Sequence, residues 1–345
     1  MRILLLLLLL PFFACQSGSE APDSGDQSPV TPEEDKPALT LKVESFQSEI
    51  TTALFGEEPE FEVLIEGMDW SEGPLALPDG SVICSDVPKN HIRSWKAGKS
   101  GTYLTGSGGA KDDYSGEPGS NGLHLDAKGR LLLCQHGSRS VVRMDAPVTT
   151  PAARFTVLAD NYRGKRFNSP NDLVVAKDGS ILFTDPIYGL PGKEKSELRE
   201  LDYCGIYRIK PDGEVQLLTK EYERPNGIGL SPDQKTLYVG NSDRSYFVVT
   251  ATPILDENFT LGERQELINA TNLVGKEIGS CDGLAVAQNG RIFATAPGGV
   301  WVMEPDGELI AKIRTGQKTS NVEISPREDY VYLTSDYYLI RLKLY

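Results

Sequence analysis

Six short stretches of this 345-residue chain begin with a side chain that carries a carbonyl or carboxylate oxygen and run directly into an apolar segment. They are EGPLALPDG from Glu72, NGLHLDAKG from Asn121, NDLVVAKDG from Asn171, NGIGLSPDQ from Asn226, DGLAVAQNG from Asp282 and NVEISPRED from Asn321. Gathered in one place, two acids and four amides offer two formal negative charges and several neutral oxygens. That donor set suits a hard cation, and calcium best, since calcium takes roughly six to eight oxygens in irregular geometry. Zinc or copper would call for His or Cys, which none of the six positions provides. The competing reading is a polar channel without a metal. A lone Asn-Gly is ordinary turn chemistry, but turn chemistry does not place Glu72 and Asp282 in the same register.

The elements that must position these residues repeat along the chain. The six starts are 49, 50, 55, 56 and 39 residues apart, the period of propeller blades. Each unit continues through an alternating apolar strand to a turn signal. A second strand follows, SVICSDV, RLLLCQHG, SILFTDP, TLYVGNSD, RIFATAP or YVYLTSD, and in several units a third such as GIYRIKP or VWVMEP. The pattern predicts an all-β protein, a six-bladed β-propeller of four-stranded antiparallel blades. The last unit has room for only three strands before Tyr345, so FEVLIEG at 61–67 is expected to supply its outer strand and close the ring. In a propeller the first strand of every blade lines the central channel, so the six oxygen-bearing residues should meet at one end. Gly73, Gly122, Gly227 and Gly283 follow four of them, which suits backbones crowded near an axis. Pro170 and Pro225 precede two, where no ladder hydrogen bond is lost.

Composition agrees with this reading. Glycine (34), proline (22) and apolar runs of four to six residues favour short strands and tight turns. A net charge of −14 argues against nucleic acid as a partner.

MRILLLLLLLPFFAC has one arginine, an apolar core from Ile3 to Leu10 and a cysteine after a small residue, the pattern of an export signal too short to span a bilayer as a mature helix. It resembles a bacterial lipoprotein signal, residues 1–15, in which Cys15 would carry the lipid and hold the protein to a membrane of the cell envelope. Residues 16–45 are expected to be a disordered acidic tether, because the run to Thr40 has six acids, one lysine and almost nothing apolar to offset the entropy of ordering. The propeller would occupy 46–345. Outside the signal, Cys84, Cys134, Cys204 and Cys281 are either buried thiols or two disulfides, and no CxxC spacing points to a metal.

WSEGP (70–74), CQHGSRSVVR (134–143), GKRFNSPNDLV (164–174), FTDPIYGL (183–190), PNGIGLSPD (225–233) and CDGLAV (281–286) together resemble the SMP-30/gluconolactonase family, particularly its bacterial gluconolactonase-like branch. The resemblance covers about residues 60–345. It implies a divalent cation, usually calcium, held by Glu72, Asn226 and Asp282, with Asn171 a ligand in some members and a substrate contact in others. It makes Asp282 the candidate for moving a proton, and it brings Asn121, Arg166, His136 and Tyr188 near a substrate pocket.

The expected activity is calcium-dependent opening of a sugar lactone to its hydroxy acid, with the cation polarising the carbonyl and a carboxylate acting as general base. A phosphotriesterase or other esterase at the same site is one alternative. A non-enzymatic propeller that uses the metal only to rigidify its channel is another. A nucleophilic triad is not expected, since no GxSxG elbow is present and His124 lies within an apolar strand.

Overall fold

The computed structural model describes residues 38–345. The export signal, Cys15 and most of the acidic tether lie outside the described residues. Among the described residues no helix is long and apolar enough to cross a membrane.

Six antiparallel sheets surround one axis, and the innermost strands of neighbouring blades touch one another all the way round. Blade one is built from Ser71–Ala76, Val82–Asp86, His91–Lys96 and Lys99–Thr105, and blade two from Ser120–Leu125, Leu131–Gln135, Ser140–Met144 and Phe155–Ala159. Leu173–Val175, Ile181–Asp185, Gly205–Ile209 and Val215–Thr219 form blade three. Pro225–Leu230, Thr236–Asp243, Tyr246–Pro253 and Gln265–Asn269 form blade four. Blade five runs through Leu284–Val286, Ile292–Ala296, Gly299–Met303 and Leu309–Arg314. Blade six takes Thr319–Ile324, Tyr330–Ser335 and Tyr338–Lys343 from the C-terminus and Phe61–Ile65 from the other end of the chain. Phe61 pairs with Leu342 and Val63 with Ile340, so the ring closes within a blade as the sequence predicts.

The second strands are continuous apolar runs because both their faces are covered by neighbouring blades. Leu131, Leu133 and Val142 of blade two pack against Ile83 and Ile92 of blade one. On the other face Leu132 and Cys134 meet Phe183 and Tyr207 of blade three. Each such aliphatic side chain contributes about 1.5–3 kcal/mol on burial, so the blades are held together face to face. The glycine eight residues into four of the six units has a backbone cause: Gly80, Gly129, Gly179 and Gly290 have φ of 81, 71, 86 and 91°. These are left-handed turn positions that glycine enters at no steric cost. Gln234 takes the same place in blade four with φ 60°.

Two features depart from the expected outline. Lys42–Ser45 is a fifth strand on the outer edge of blade five, pairing Lys42 with Arg314 and Ser45 with Ala311, so the ordered chain begins before residue 46. The alternation Leu39, Leu41, Val43 packs against the core there and outweighs the polar composition just upstream. An α-helix, Ser48–Phe55, the only one among the described residues, follows and anchors itself with fully buried Phe55 and a Thr51 hydroxyl donating to the Ile310 carbonyl at 3.2 Å. The cysteine alternatives are settled as well: Cys84, Cys134, Cys204 and Cys281 are buried free thiols.

Candidate active site at the channel mouth

The oxygen-bearing residues stand at or just before the start of each innermost strand, and all six are buried. A hydrogen bond links each blade to the next at this level. The Ser85 hydroxyl donates to the Asn121 carbonyl (2.8 Å), the Gly122 N–H to Asn171 O (2.7 Å), and the Thr184 hydroxyl to Asn226 O (2.7 Å). The Gly227 N–H donates to Asp282 O (2.9 Å), the Gly283 N–H to Ser320 O (2.8 Å), and the Ser320 hydroxyl returns to Ser71 O (2.6 Å). Backbone satisfaction is thus used to set the ring, leaving the side chains free for other work. The glycines permit the approach: a Cβ on Gly227 would lie 2.3 Å from the Asp282 carbonyl oxygen, and one on Gly283 would lie 2.1 Å from the Asn321 side chain.

Among the described residues the Oδ1 atoms of Asn121, Asn171 and Asp282 are buried without a hydrogen-bond partner. Glu72 receives the Trp70 indole N–H at 3.2 Å, and Asp282 the Ser280 hydroxyl at 3.3 Å. Burial pushes the Glu72 carboxyl well above its usual range, and the charges of Asp282 and Asp172 push it further. Burial, then Asp172, raises Asp282 in the same way. Unpaired buried carboxylates beside unpartnered amide oxygens are costly unless a positive charge joins them. No group of three or more His, Cys, Asp or Glu suited to a metal occurs among the described residues. The set instead combines two carboxylates with neutral oxygens, which fits calcium and not zinc or copper.

The other expected residues divide into two groups. Tyr188 joins the ring: its hydroxyl meets the Ser242 hydroxyl at 2.7 Å, and Ser242 also accepts from the Asn226 amide at 3.3 Å. The sixth ring residue, Asn321, turns inward instead, donating toward Asp172 at 3.5 Å and accepting the Val322 N–H at 2.8 Å. His136 is fully buried, its Nδ1 is 3.0 Å from the Glu117 carboxylate and its Nε2 has no partner. Arg166 lies at the seam of blades two and three, donating to the Ser138 carbonyl and facing Asp160 at 3.4 Å. His124 lines the second half of the channel, and its Nδ1 meets the Leu125 carbonyl at 2.8 Å.

Several residues at the site escape a reading of the strand starts. Trp70 orients Glu72, and Ser242 links Asn226 to Tyr188. Asp185 accepts the N–H groups of Asn168 and Ser169, both at 2.8 Å, and so fixes the loop that presents Asn171. Its carboxyl, pushed up to about 7 by burial, is the price of that rigidity. Asp86 does the same for Asp69 in blade one, at 3.0 Å, and the Asn241 side chain for Arg224 in blade four, at 2.9 Å. The signal was present in the second strands, which end in Asp or Asn in SDV, TDP and GNS. Glu117, in an irregular loop of Gly, Asp and Ser, carries no such signal.

A cavity of about 440 Å³ opens beside Asp282, bordered by Trp70, Ser242 and Phe247. A second, of about 260 Å³, occupies the opposite half of the channel, among Leu173, Ile228, Leu284 and Val322 with His124 and Glu323.

The model of the SMP-30/Gluconolactonase/LRE-like region matches residues 70–336. A gluconolactonase of Zymomonas mobilis is 36% identical over 312 residues, spanning 88% of this chain and 86% of that protein. A lactonohydrolase of Aspergillus oryzae is 25% identical over 187 residues, 50% of this chain and 43% of its own. Among solved structures, a gluconolactonase from Xanthomonas campestris superposes with a TM-score of 0.75 at 29% identity, covering 90% of this chain and 97% of that one.

Proposed function

This chain belongs to the SMP-30/gluconolactonase/LRE-like family, and we propose from that premise that it is a gluconolactonase-like hydrolase opening a sugar lactone at the channel mouth. The observation that carries the reading is the set of unpartnered, buried oxygens on Asn121, Asn171 and Asp282 beside the Glu72 carboxylate, next to a cavity large enough for a small molecule. Glu72, Asn171, Asn226 and Asp282 would hold a calcium ion, which when bound supplies a Lewis acid for the lactone carbonyl.

The chain's own groups do the rest. Asp282, raised by burial and by Asp172, is suited to exchange a proton near neutral pH. It takes the proton of the attacking water as the water oxygen bonds to the carbonyl carbon. When the ring C–O bond breaks, Asp282 returns that proton to the departing alkoxide, and the product is a hydroxy acid. Trp70 fixes one oxygen of Glu72, and the Tyr188–Ser242 pair fixes the Asn226 amide, so neither ligand has to reorganise during the reaction. Asn121 and His136, each with an unpartnered polar atom, are the proposed contacts to substrate hydroxyls, with Arg166 and Tyr188 at the rim.

The decisive experiment measures lactone turnover of the purified domain before and after chelation, with the metal content determined in the same samples. Turnover that falls with the metal and returns with calcium is the expected result. Full activity after complete metal removal, or turnover of phosphotriesters in place of lactones, would overturn it. The apolar run before Cys15 supports action in the cell envelope through a lipid anchor, and Cys15→Ala is then expected to move the protein from the membrane fraction to the soluble one.

A further inference from the structure

The cavity beside Asp282 has an uneven charge. In a chain of net charge −14, its wall carries three cationic side chains, Arg244, Lys276 and Lys318, and among the described residues none of them forms an ion pair. Of the neighbouring acids, Asp282 keeps an unpartnered oxygen, Asp336 accepts the Lys318 backbone N–H at 2.8 Å and faces the Lys318 charge, and the others are engaged elsewhere. Glu277 is bound to Arg314 at 2.9 Å, and Asp243 accepts the Ser245 N–H at 2.9 Å. Trp70 and Phe247 give the same cavity an aromatic lining, with the Lys318 ammonium 5.7 Å from the centre of the Trp70 ring. An apolar face suits the flat side of a sugar ring. Unpaired cations at a cavity rim attract an anion, both in binding and in diffusional approach.

We propose that this cavity selects lactones bearing an anionic substituent, a phosphate or a carboxylate remote from the scissile carbonyl. The proposal rests on the lactonase reading above and adds the substrate class to it. With the carbonyl at Asp282, the ring lies along Trp70 and the anionic group reaches Arg244, Lys276 and Lys318. The rim charges act on capture of substrate and leave the chemistry at Asp282 alone, so the preference appears in KM more than in kcat. The cations are exposed, so each contributes modestly and all are screened by salt.

The test compares glucono-δ-lactone, its 6-phosphate and a lactone of a sugar dicarboxylic acid, on the wild type and on an Arg244→Ala/Lys318→Ala double variant, with the metal-loaded protein. The expected result is a kcat/KM about tenfold higher for an anionic lactone, falling toward the neutral value at about 0.5 M salt. In the double variant the preference disappears while turnover of the neutral lactone stays within about twofold. The phosphate and carboxylate arms show which anion the rim prefers. Equal kcat/KM for neutral and anionic lactones, with no dependence on salt, overturns the proposal and leaves the lactonase reading standing. If no lactone is turned over at all, that reading fails, and calorimetry then decides the cavity's preference. Saturable binding of 6-phosphogluconate or of a sugar dicarboxylate but not of the neutral polyol glucitol, lost in the double variant, supports the anion site, and its absence overturns it.

Discussion

The two ends of the central channel are built from the same six strands and have different characters. At the mouth, Glu72, Asn121, Asn171, Asn226 and Asp282 point polar atoms into the protein with few partners of their own. A few residues further along the strands, Leu173, Ile228, Leu284 and Val322 line the second cavity, beside the polar side chains of His124, Asp172, Asn321 and Glu323. The difference shows how a propeller separates cost from work. Unsatisfied oxygens are held at one level by the hydrogen-bonded ring that fixes the strand starts there. Binding groups at the mouth should therefore respond to substitution through activity, and those below it through stability.

The largest effect expected from this contrast is at Asp282. Asp282→Asn keeps the shape and removes the proposed base, so kcat for lactone hydrolysis should fall by about a thousandfold with little change in melting temperature. At the other end, Glu323→Gln should leave kcat within about twofold. Comparable losses from both variants would erase the distinction between the two ends.

Gly283→Ala is next, because the new Cβ would meet the Asn321 side chain at 2.1 Å and its backbone at 2.7 Å. Asn321 has to move, and the link from Gly283 to Ser320 moves with it. A loss of about 2 kcal/mol or more in chemical denaturation is expected, together with reduced activity. Gly80→Ala, an open turn position whose Cβ meets nothing within 4 Å, should affect stability alone, through its φ of 81°.

Asp185→Asn gives a smaller change. The two N–H groups it accepts bind different oxygens, and an amide retains only one acceptor. About 1–3 kcal/mol should be lost, and because the disturbed loop carries Asn171, a proposed ligand, the proposed calcium affinity should weaken in parallel. Unchanged calcium affinity would remove Asp185 from the support of the site.

The smallest effects concern pH, and the lower channel supplies two of opposite sign. Burial raises the Glu323 carboxyl to about 8, with Asp172 adding to it. Above about pH 4.5 the unfolded chain sheds this proton while the folded chain keeps it, so stability falls as pH rises toward 8. Glu323→Gln should remove that loss and gain stability over the wild type at pH 8 relative to pH 5. Burial lowers the His124 imidazole instead. Below about pH 6.5 the unfolded chain takes a proton that the folded chain refuses, so stability falls on acidification. His124→Leu should flatten that slope between pH 7.5 and 5.5 in denaturation measured against the wild type.

Much of this architecture could be read without coordinates. The register of Glu72, Asn121, Asn171, Asn226, Asp282 and Asn321 identified the inner strands, and the shortage of one strand at the C-terminus located its replacement at Phe61–Ile65. Lys42–Ser45 escaped notice because an edge strand needs main-chain hydrogen bonds more than a distinctive composition, and its alternation is only three residues deep. Trp70, Ser242 and Asp185 were harder still, since each acts on a residue it reaches only after folding.

The sequence by itself determined the blade repeat, the closure of the ring and the identity of the residues facing the axis, because strand alternation and turn chemistry are local and recur at every unit. Only the tertiary structure decided which of those residues keep an unpartnered oxygen. Asn171 and Asn321 are the same residue type at equivalent strand starts, yet one has a free Oδ1 and the other is turned toward Asp172. That choice depends on contacts between blades more than a hundred residues apart, which no local pattern encodes.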